Sequence, residues 1–390
     1  AGLRGTRLGR VPRCTSPLPF TWSVTPTGHV GHTPIHHYDI HGVRVTVQSA
    51  SETGMAAFHE LLRCNRATFQ PGLADGHDGA QVHVRLRPRL RRFRPLPAVW
   101  TRVLEYLPVV GFRRGRRLRL TDGHTDVTVL GPGRIDGAIA AADLSPPHLV
   151  GSYMASLALF RVLSDHGLFH LHAACLVSPG GIPLVVPGDS GIGKTALTLA
   201  LASAGFRVVS DDAVFLRPGE GDVAAVLPFR RPMHVDDRIL DAFPALRPLA
   251  TDPVPWFSAI RWSVCRRAVF GDRAVEAAPL PRAVLCLRRS SESRSRIERV
   301  PRREAFHELL RQSALIMLAG RGARTHLRLL AWLCREAVPL RLTLGRDVLE
   351  RPGDVARLVA SAVDSTGASC GRAPARRPRH RADPDLGFAA

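Results

Sequence analysis

Of the 54 lysine and arginine side chains in this 390-residue sequence, a single one is lysine, Lys194. It stands in Gly188-Asp189-Ser190-Gly191-Ile192-Gly193-Lys194-Thr195, which has the spacing of a phosphate-binding loop. An apolar run, Leu184-Val185-Val186, leads into the loop, and an apolar helical pattern leads out of it. A chain that uses arginine at every other basic position keeps lysine where a compact, flexible ammonium must reach terminal phosphates. Glycines let such a loop turn its backbone N–H groups toward an anion, and the N-terminus of the following helix adds a favourable dipole. The expectation is a nucleotide site in which residues 188 to 195 cradle ATP. Lys194 would neutralise the terminal phosphates and the Thr195 hydroxyl would coordinate Mg2+.

Two further features lie close by in the sequence. Asp211-Asp212 ends the apolar run Phe206 to Ser210, soon after Thr195. Parallel strands bring their carboxyl ends to one edge, so these carboxylates are expected beside the loop. One can hold magnesium while the other accepts a proton from an attacking hydroxyl. His172 falls in Leu171 to Val177, read as an apolar strand before the loop. A buried histidine there needs a hydrogen-bond partner. A nearby aspartate would orient it and favour its charged form; a structural histidine satisfied by backbone is the equal alternative.

The formal net charge of +21 would suit a nucleic-acid partner. The arginine skew points instead to a coding bias, and no helix-turn-helix, zinc or aromatic-rich signature accompanies it. The arginine-dense stretches at 85–94 and 113–119 read as solvated surface. No apolar run approaches the roughly 18 residues of a membrane span. The opening residues lack a secretory signal, so a cytoplasmic protein is expected. Seven scattered cysteines argue against a disulfide framework, and Cys175, Cys265, Cys286 and Cys334 read as small core residues. His29, His32, His36, His37 and His41 match no helix-borne ligand pair, which disfavours a metal site.

Pattern divides the chain into a disordered leader (1–33), a small accessory α/β domain (34–148), a catalytic domain (149–363) and a disordered Arg/Pro-rich tail (364–390). Alternation predicts a strand or hairpin over 38–47 and strands at 81–86, 117–120 and 125–130, with helical spacing over 55–66. Beyond these come a helix over 149–168, strands at 171–177, 182–186 and 206–210, and a helix over 195–204 stopped by Gly205. A strand at 283–287, helices over 303–319 and 326–336, a strand at 340–343 and a helix over 352–363 complete the expectation.

The run Leu171-His172, the loop 188–195 and Gly205 to Asp212 together resemble the bacterial HPr kinase/phosphorylase family and its kinase relatives. The resemblance is sharp over 165–217, diffuse to 362 and absent from the N-terminal domain. It implies an α/β fold akin to phosphoenolpyruvate carboxykinase, with a mixed sheet rather than a Rossmann arrangement. It also implies a centre in which Lys194 binds phosphate, Asp212 is the base with His172 beside it, and Asp211 serves magnesium with Thr195. Thr195 replaces the serine usual in the family, which keeps the hydroxyl. The family's second glycine-rich signature has no counterpart here, so the chain looks closer to relatives that phosphorylate lasso-peptide precursors or free serine. The resulting expectation is an ATP- and Mg2+-dependent kinase acting on a serine-type hydroxyl of a peptide, protein or small molecule, with a homo-oligomer left open. A P-loop ATPase or nucleotide switch ranks second and a basic nucleic-acid-binding module third.

Overall fold

The computed structural model describes residues 35–50, 61–66, 81–88, 100–104, 107–114, 117–121, 125–139, 154–219, 223–256, 259–313 and 322–369, with Met55 and Phe58. The leader with His29 and His32, residues 89–94 and the chain beyond Ser369 lie outside the described residues.

The alternation near the start forms a hairpin of β1 (Ile35–Ile40) and β2 (Val43–Ser49). His41 and Gly42 close it with φ of 52° and 89°. Two successive positive φ values give a turn whose twist matches that of its strands. His41 is also tied down, its Nε2 donating to the Pro228 carbonyl at 2.7 Å. The sheet grows through β3 (Gln81–Pro88), β4 (Trp100–Leu104), β5 (Leu107–Arg114), β6 (Arg117–Thr121), β7 (Asp126–Gly131) and β8 (Arg134–Ile139). Its order is β1-β2-β3-β8-β7-β6-β5-β4. The β2–β3 and β3–β8 pairs are parallel and the others antiparallel. Met55, Phe58, Leu61 and Leu62 are helical and buried, as their spacing predicts.

After α1 (Ser156–Asp165), the run predicted as one strand from 171 to 177 is two strands in different sheets. β9 (Phe169–Leu171) joins β13 (Val214–Pro218) and β14 (Val223–Pro228) in a three-stranded antiparallel sheet. β10 (Ala173–Val177) enters a six-stranded sheet, and His172 is the residue between them. That larger sheet runs β12-β10-β11-β18-β20-β19, with β11 (Pro183–Pro187), β12 (Arg207–Ser210), β18 (Ala283–Arg289), β19 (Arg296–Arg299) and β20 (Val338–Leu344). Strand β10 is antiparallel to both β11 and β12. The loop strand and the aspartate strand are therefore not neighbours, yet they share a direction and their carboxyl ends share an edge. A fourth sheet holds β15 (Met233–Val235), β17 (Ala259–Val264) and β16 (Ala250–Trp256) in that order.

Helices cover both faces of the six-stranded sheet. Ala174, Leu176, Leu184, Val186 and Leu285 pack with α2 (Lys194–Ser203) and the final helix, where Val355, Ala356 and Val359 sit. Cys175, Val185 and Val284 pack on the other face with α3 (Arg302–Arg311) and α4 (Gly322–Glu336), through Leu309, Leu330 and Leu333. The final helix, α5 (Pro352–Ser369), runs past Val363. There Thr366 donates to the Val363 carbonyl at 2.6 Å and Asp364 accepts from Ser178 at 3.2 Å, so polar residues extend the helix. Cys175, Cys286 and Cys334 are buried, as expected. Cys265 is instead exposed, because it begins a short helix at the surface instead of ending inside β17. No described helix is long and apolar enough to cross a membrane.

Candidate active site

Strand β11 ends at Pro187 and α2 begins at Lys194, so the glycine-rich loop spans one edge of the six-stranded sheet. Close packing explains two of its glycines. A Cβ at Gly188 would lie 2.9 Å from Ile192 Cγ2. Gly193, with φ of 116°, would bring a Cβ within 2.9 Å of Leu344 Cδ1. A side chain at Gly193 would also be strained in that left-handed backbone. The tight turn aims the start of α2, with its N-terminal N–H groups, at the loop. Lys194 is 4% exposed. Its ammonium donates to the carbonyls of Gly188 at 2.7 Å and Asp189 at 3.1 Å. It also lies 3.0 Å from His172 Nε2 and 3.4 Å from Asp212 Oδ1.

The two aspartates follow β12 directly and face different partners. The Ser210 hydroxyl accepts from the backbone N–H groups of Asp212 at 3.4 Å and Ala213 at 3.3 Å, which turns the chain at this point. Asp211 is buried and accepts the Thr195 hydroxyl at 3.2 Å. Asp212 stands beside Lys194 and His172, and Arg231 donates to its other oxygen. Because β12 is an edge strand, its outer carbonyls need other donors; Arg266 supplies one to Val209 and reaches Glu276 at 2.8 Å.

His172 sits at the break between β9 and β10, where its backbone N–H leaves both ladders. The carbonyl of Gln312 accepts it at 3.2 Å. The ring is held as well, with Nδ1 2.9 Å from Gln312 Oε1 and Nε2 3.0 Å from Asp212 Oδ1. The Gln312 amide meanwhile donates to Asp189 Oδ1 at 2.8 Å, and Arg311 donates to Asp189 Oδ2 at 2.8 Å. Burial by itself would raise the Asp189 carboxyl, but these hydrogen bonds outweigh it and hold the group below its ordinary value. The next histidine along, His170, serves packing. It stacks on Phe160 with ring centroids 4.0 Å apart. Burial, followed by the charges of His172, His326 and Arg231, pushes it well below its ordinary value.

His172, Lys194, Asp212, Thr195 and Asp211 are thus brought together, with Asp189 tied to the same cluster. Ser190 and Gly191 lie exposed on the loop, and Ile192 packs over Gly188. Among the arginines near the aspartate pair, Arg231 joins the cluster whereas Arg230 pairs with Glu276 at 2.6 Å. Arg311 and Gln312 carry no motif. The predicted helix over 303–319 would bury them mid-helix, but α3 stops at Arg311 and leaves Gln312 as its cap.

No family model matches the chain. Two HPr kinase/phosphorylases, from Clostridium botulinum strains Eklund 17B (type B) and Alaska E43 (type E3), are each 40% identical to it over 53 residues. That stretch is 14% of this chain and 17% of theirs, so the match spans well under two thirds of these relatives. The solved HPr(Ser) kinase/phosphatase from Coxiella burnetii is 15% identical and covers 51% of this chain and 97% of its own, at a TM-score of 0.27. The curated matches bear out the resemblance to HPr kinases over that limited stretch.

Proposed function

We propose that this chain is an ATP- and Mg2+-dependent kinase of the HPr kinase-like type, acting on a serine-type hydroxyl of a peptide, protein or small molecule. The observation that carries the reading is the division of labour between adjacent aspartates: Asp211 faces the Thr195 hydroxyl, while Asp212 faces Lys194 and His172. The donor set suits a magnesium nucleotide. A hydroxyl and a buried carboxylate 3.2 Å apart at a helix start offer two hard oxygen ligands, and a flexible ammonium sits folded onto the loop's own carbonyls.

When bound, MgATP supplies the phosphoryl group. Thr195 and Asp211 would hold the metal, and the loop from Gly188 through Thr195 would hold the phosphates. Lys194 would exchange its carbonyl contacts for phosphate oxygens and spread the developing charge. Asp212 would take the proton from the acceptor hydroxyl, with Arg231 and Lys194 fixing its orientation and His172 in turn holding Lys194. The eight-stranded sheet within 34–148 is read as an accessory domain.

The test compares two conservative variants in assays of nucleotide binding and of phosphoryl transfer. Asp212→Asn is expected to keep Mg-nucleotide affinity and lose transfer by about 100-fold or more. Asp211→Asn is expected to weaken Mg-nucleotide binding as well. Transfer to a confirmed acceptor at the wild-type rate by both variants would reject the reading. ATP hydrolysis that no acceptor accelerates would favour a nucleotide switch.

A further inference from the structure

We propose that Gln312 is a positioning residue that sets the tautomer of His172 and clamps it to the glycine-rich loop. The relevance to catalysis rests on the kinase reading; the tautomer does not. The argument begins with the orientation of the amide. Its Nε2 lies 2.8 Å from Asp189 Oδ1 and 3.0 Å from Glu308 Oε1. Carboxylates accept and cannot donate, so the NH2 end must face them. The Oε1 end is thereby turned to His172 Nδ1, at 2.9 Å. An amide oxygen also accepts only, so Nδ1 must carry a hydrogen. In the neutral ring this leaves Nε2 as the acceptor.

That choice matters because Nε2 lies 3.0 Å from both the Lys194 ammonium, which only donates, and Asp212 Oδ1, which only accepts, so a bare Nε2 bonds the ammonium and reaches Asp212 only through it. An ammonium has three hydrogens, and two carbonyls, the Asp212 carboxylate and the ring all stand within reach of Lys194. With Nδ1 protonated, the neutral ring can take one of those hydrogens, which holds Lys194 against Asp212. The opposite tautomer would turn an Nε2–H to the Asp212 carboxylate and give up the bond from the ammonium.

Gln312 also acts through its backbone, whose carbonyl accepts the His172 N–H at 3.2 Å. Main chain and side chain together seat both the ring and the strand break beneath it. Burial fits this role, since Gln312 is 6% exposed. Arg311 completes the clamp by holding the second oxygen of Asp189, and both residues are in turn held by Glu308. The end of α3 thus reaches the loop and the histidine at once.

The experiment is nitrogen-15 NMR of the histidine rings in the full-length protein without nucleotide, above the pH at which the His172 ring loses its second proton. A His172→Gln sample identifies the His172 signals. The wild type is expected to show Nδ1 protonated and Nε2 bare. Gln312→Leu, which keeps the bulk but offers no acceptor, is expected to shift the ring toward the Nε2–H form. Gln312→Glu retains an acceptor for Nδ1–H and should preserve the wild-type tautomer. An Nε2–H ring in the wild type, or an unchanged tautomer in a folded Gln312→Leu protein, would overturn the inference. In transfer assays Gln312→Leu should lower kcat by roughly 10- to 100-fold, by analogy with the loss of an outer partner that orients a metal-bound histidine. Gln312→Glu, which keeps the acceptor for Nδ1–H but loses the donors to Asp189 and Glu308, should recover only part of that loss. If the wild type transferred no phosphate to any acceptor, the kinase reading would fail while the NMR result still decided the role of Gln312.

Discussion

Strands β10 and β11 are buried at every residue, whereas β2 is buried at every second one. The contrast follows from what lies on each side. The six-stranded sheet carries helices on both faces, so its central strands read as continuous apolar runs. The eight-stranded sheet packs one face against α1 and residues such as Phe215 and Phe229, and its alternation reflects a second face that the described residues cover only partly. A sheet covered on both sides has no room for chemistry on its faces. Its polar groups collect where strands end, and the loop after β11, the aspartates after β12 and the histidine before β10 all lie at such ends.

The comparison can be broken at several points. Leu176→Ala, in the middle of doubly covered β10, should destabilise the protein by about 2–5 kcal/mol, because the deleted side chain leaves a cavity that helices on that face cannot fill. Denaturant titration measures it, and a loss below 1 kcal/mol on the order of a surface change would show that the helices collapse onto the sheet. Lys194→Ala acts at the strand end instead. It is expected to lower nucleotide-dependent turnover by about 100- to 1000-fold, the scale for removing one preorganised charge-stabilising donor. Its thermal midpoint should stay near the wild-type value.

Acid should act on the covered region. His326, buried on α4 beside Phe169 with ring centroids 5.5 Å apart, is lowered by burial from 6.5 to about 4. The folded state therefore binds fewer protons than the unfolded chain between these values, and stability falls as pH drops through that window. The contribution is up to about 3 kcal/mol at full titration. Thermal melts from pH 7 to pH 4 should show a shallower decline in His326→Leu than in the wild type. Equal slopes would mean that the ring finds a partner when charged. The smallest effect is expected on the singly covered sheet. Thr128→Ala, half-exposed on β7, should change stability by less than about 0.5 kcal/mol. A larger loss would indicate that this face is covered in the working protein.

Local chemistry carried much of this protein. The glycine spacing, the single lysine at Lys194 and the Asp211-Asp212 pair marked the loop and its neighbouring carboxylates in the sequence, because a turn packed as tightly as this one at Gly188 and Gly193 tolerates few residue types. Periodicity located β2, β3, β11, α2 and α4 for the same local reason. Tertiary structure decided the rest. That β9 and β10 belong to different sheets, with His172 at the break, depends on which ladders accept each strand, and continuous apolar character does not encode that. The shared edge of β11 and β12 arises through an antiparallel strand between them, a pairing that no local pattern specifies. Arg231 was one arginine among 53 until packing carried its guanidinium to Asp212. Gln312 looked like the middle of a helix until α3 ended one residue earlier and its amide met Asp189 and His172. Hydrogen bonds between residues 123 and 140 positions apart are products of the assembled fold, and the sequence alone holds no signal for them.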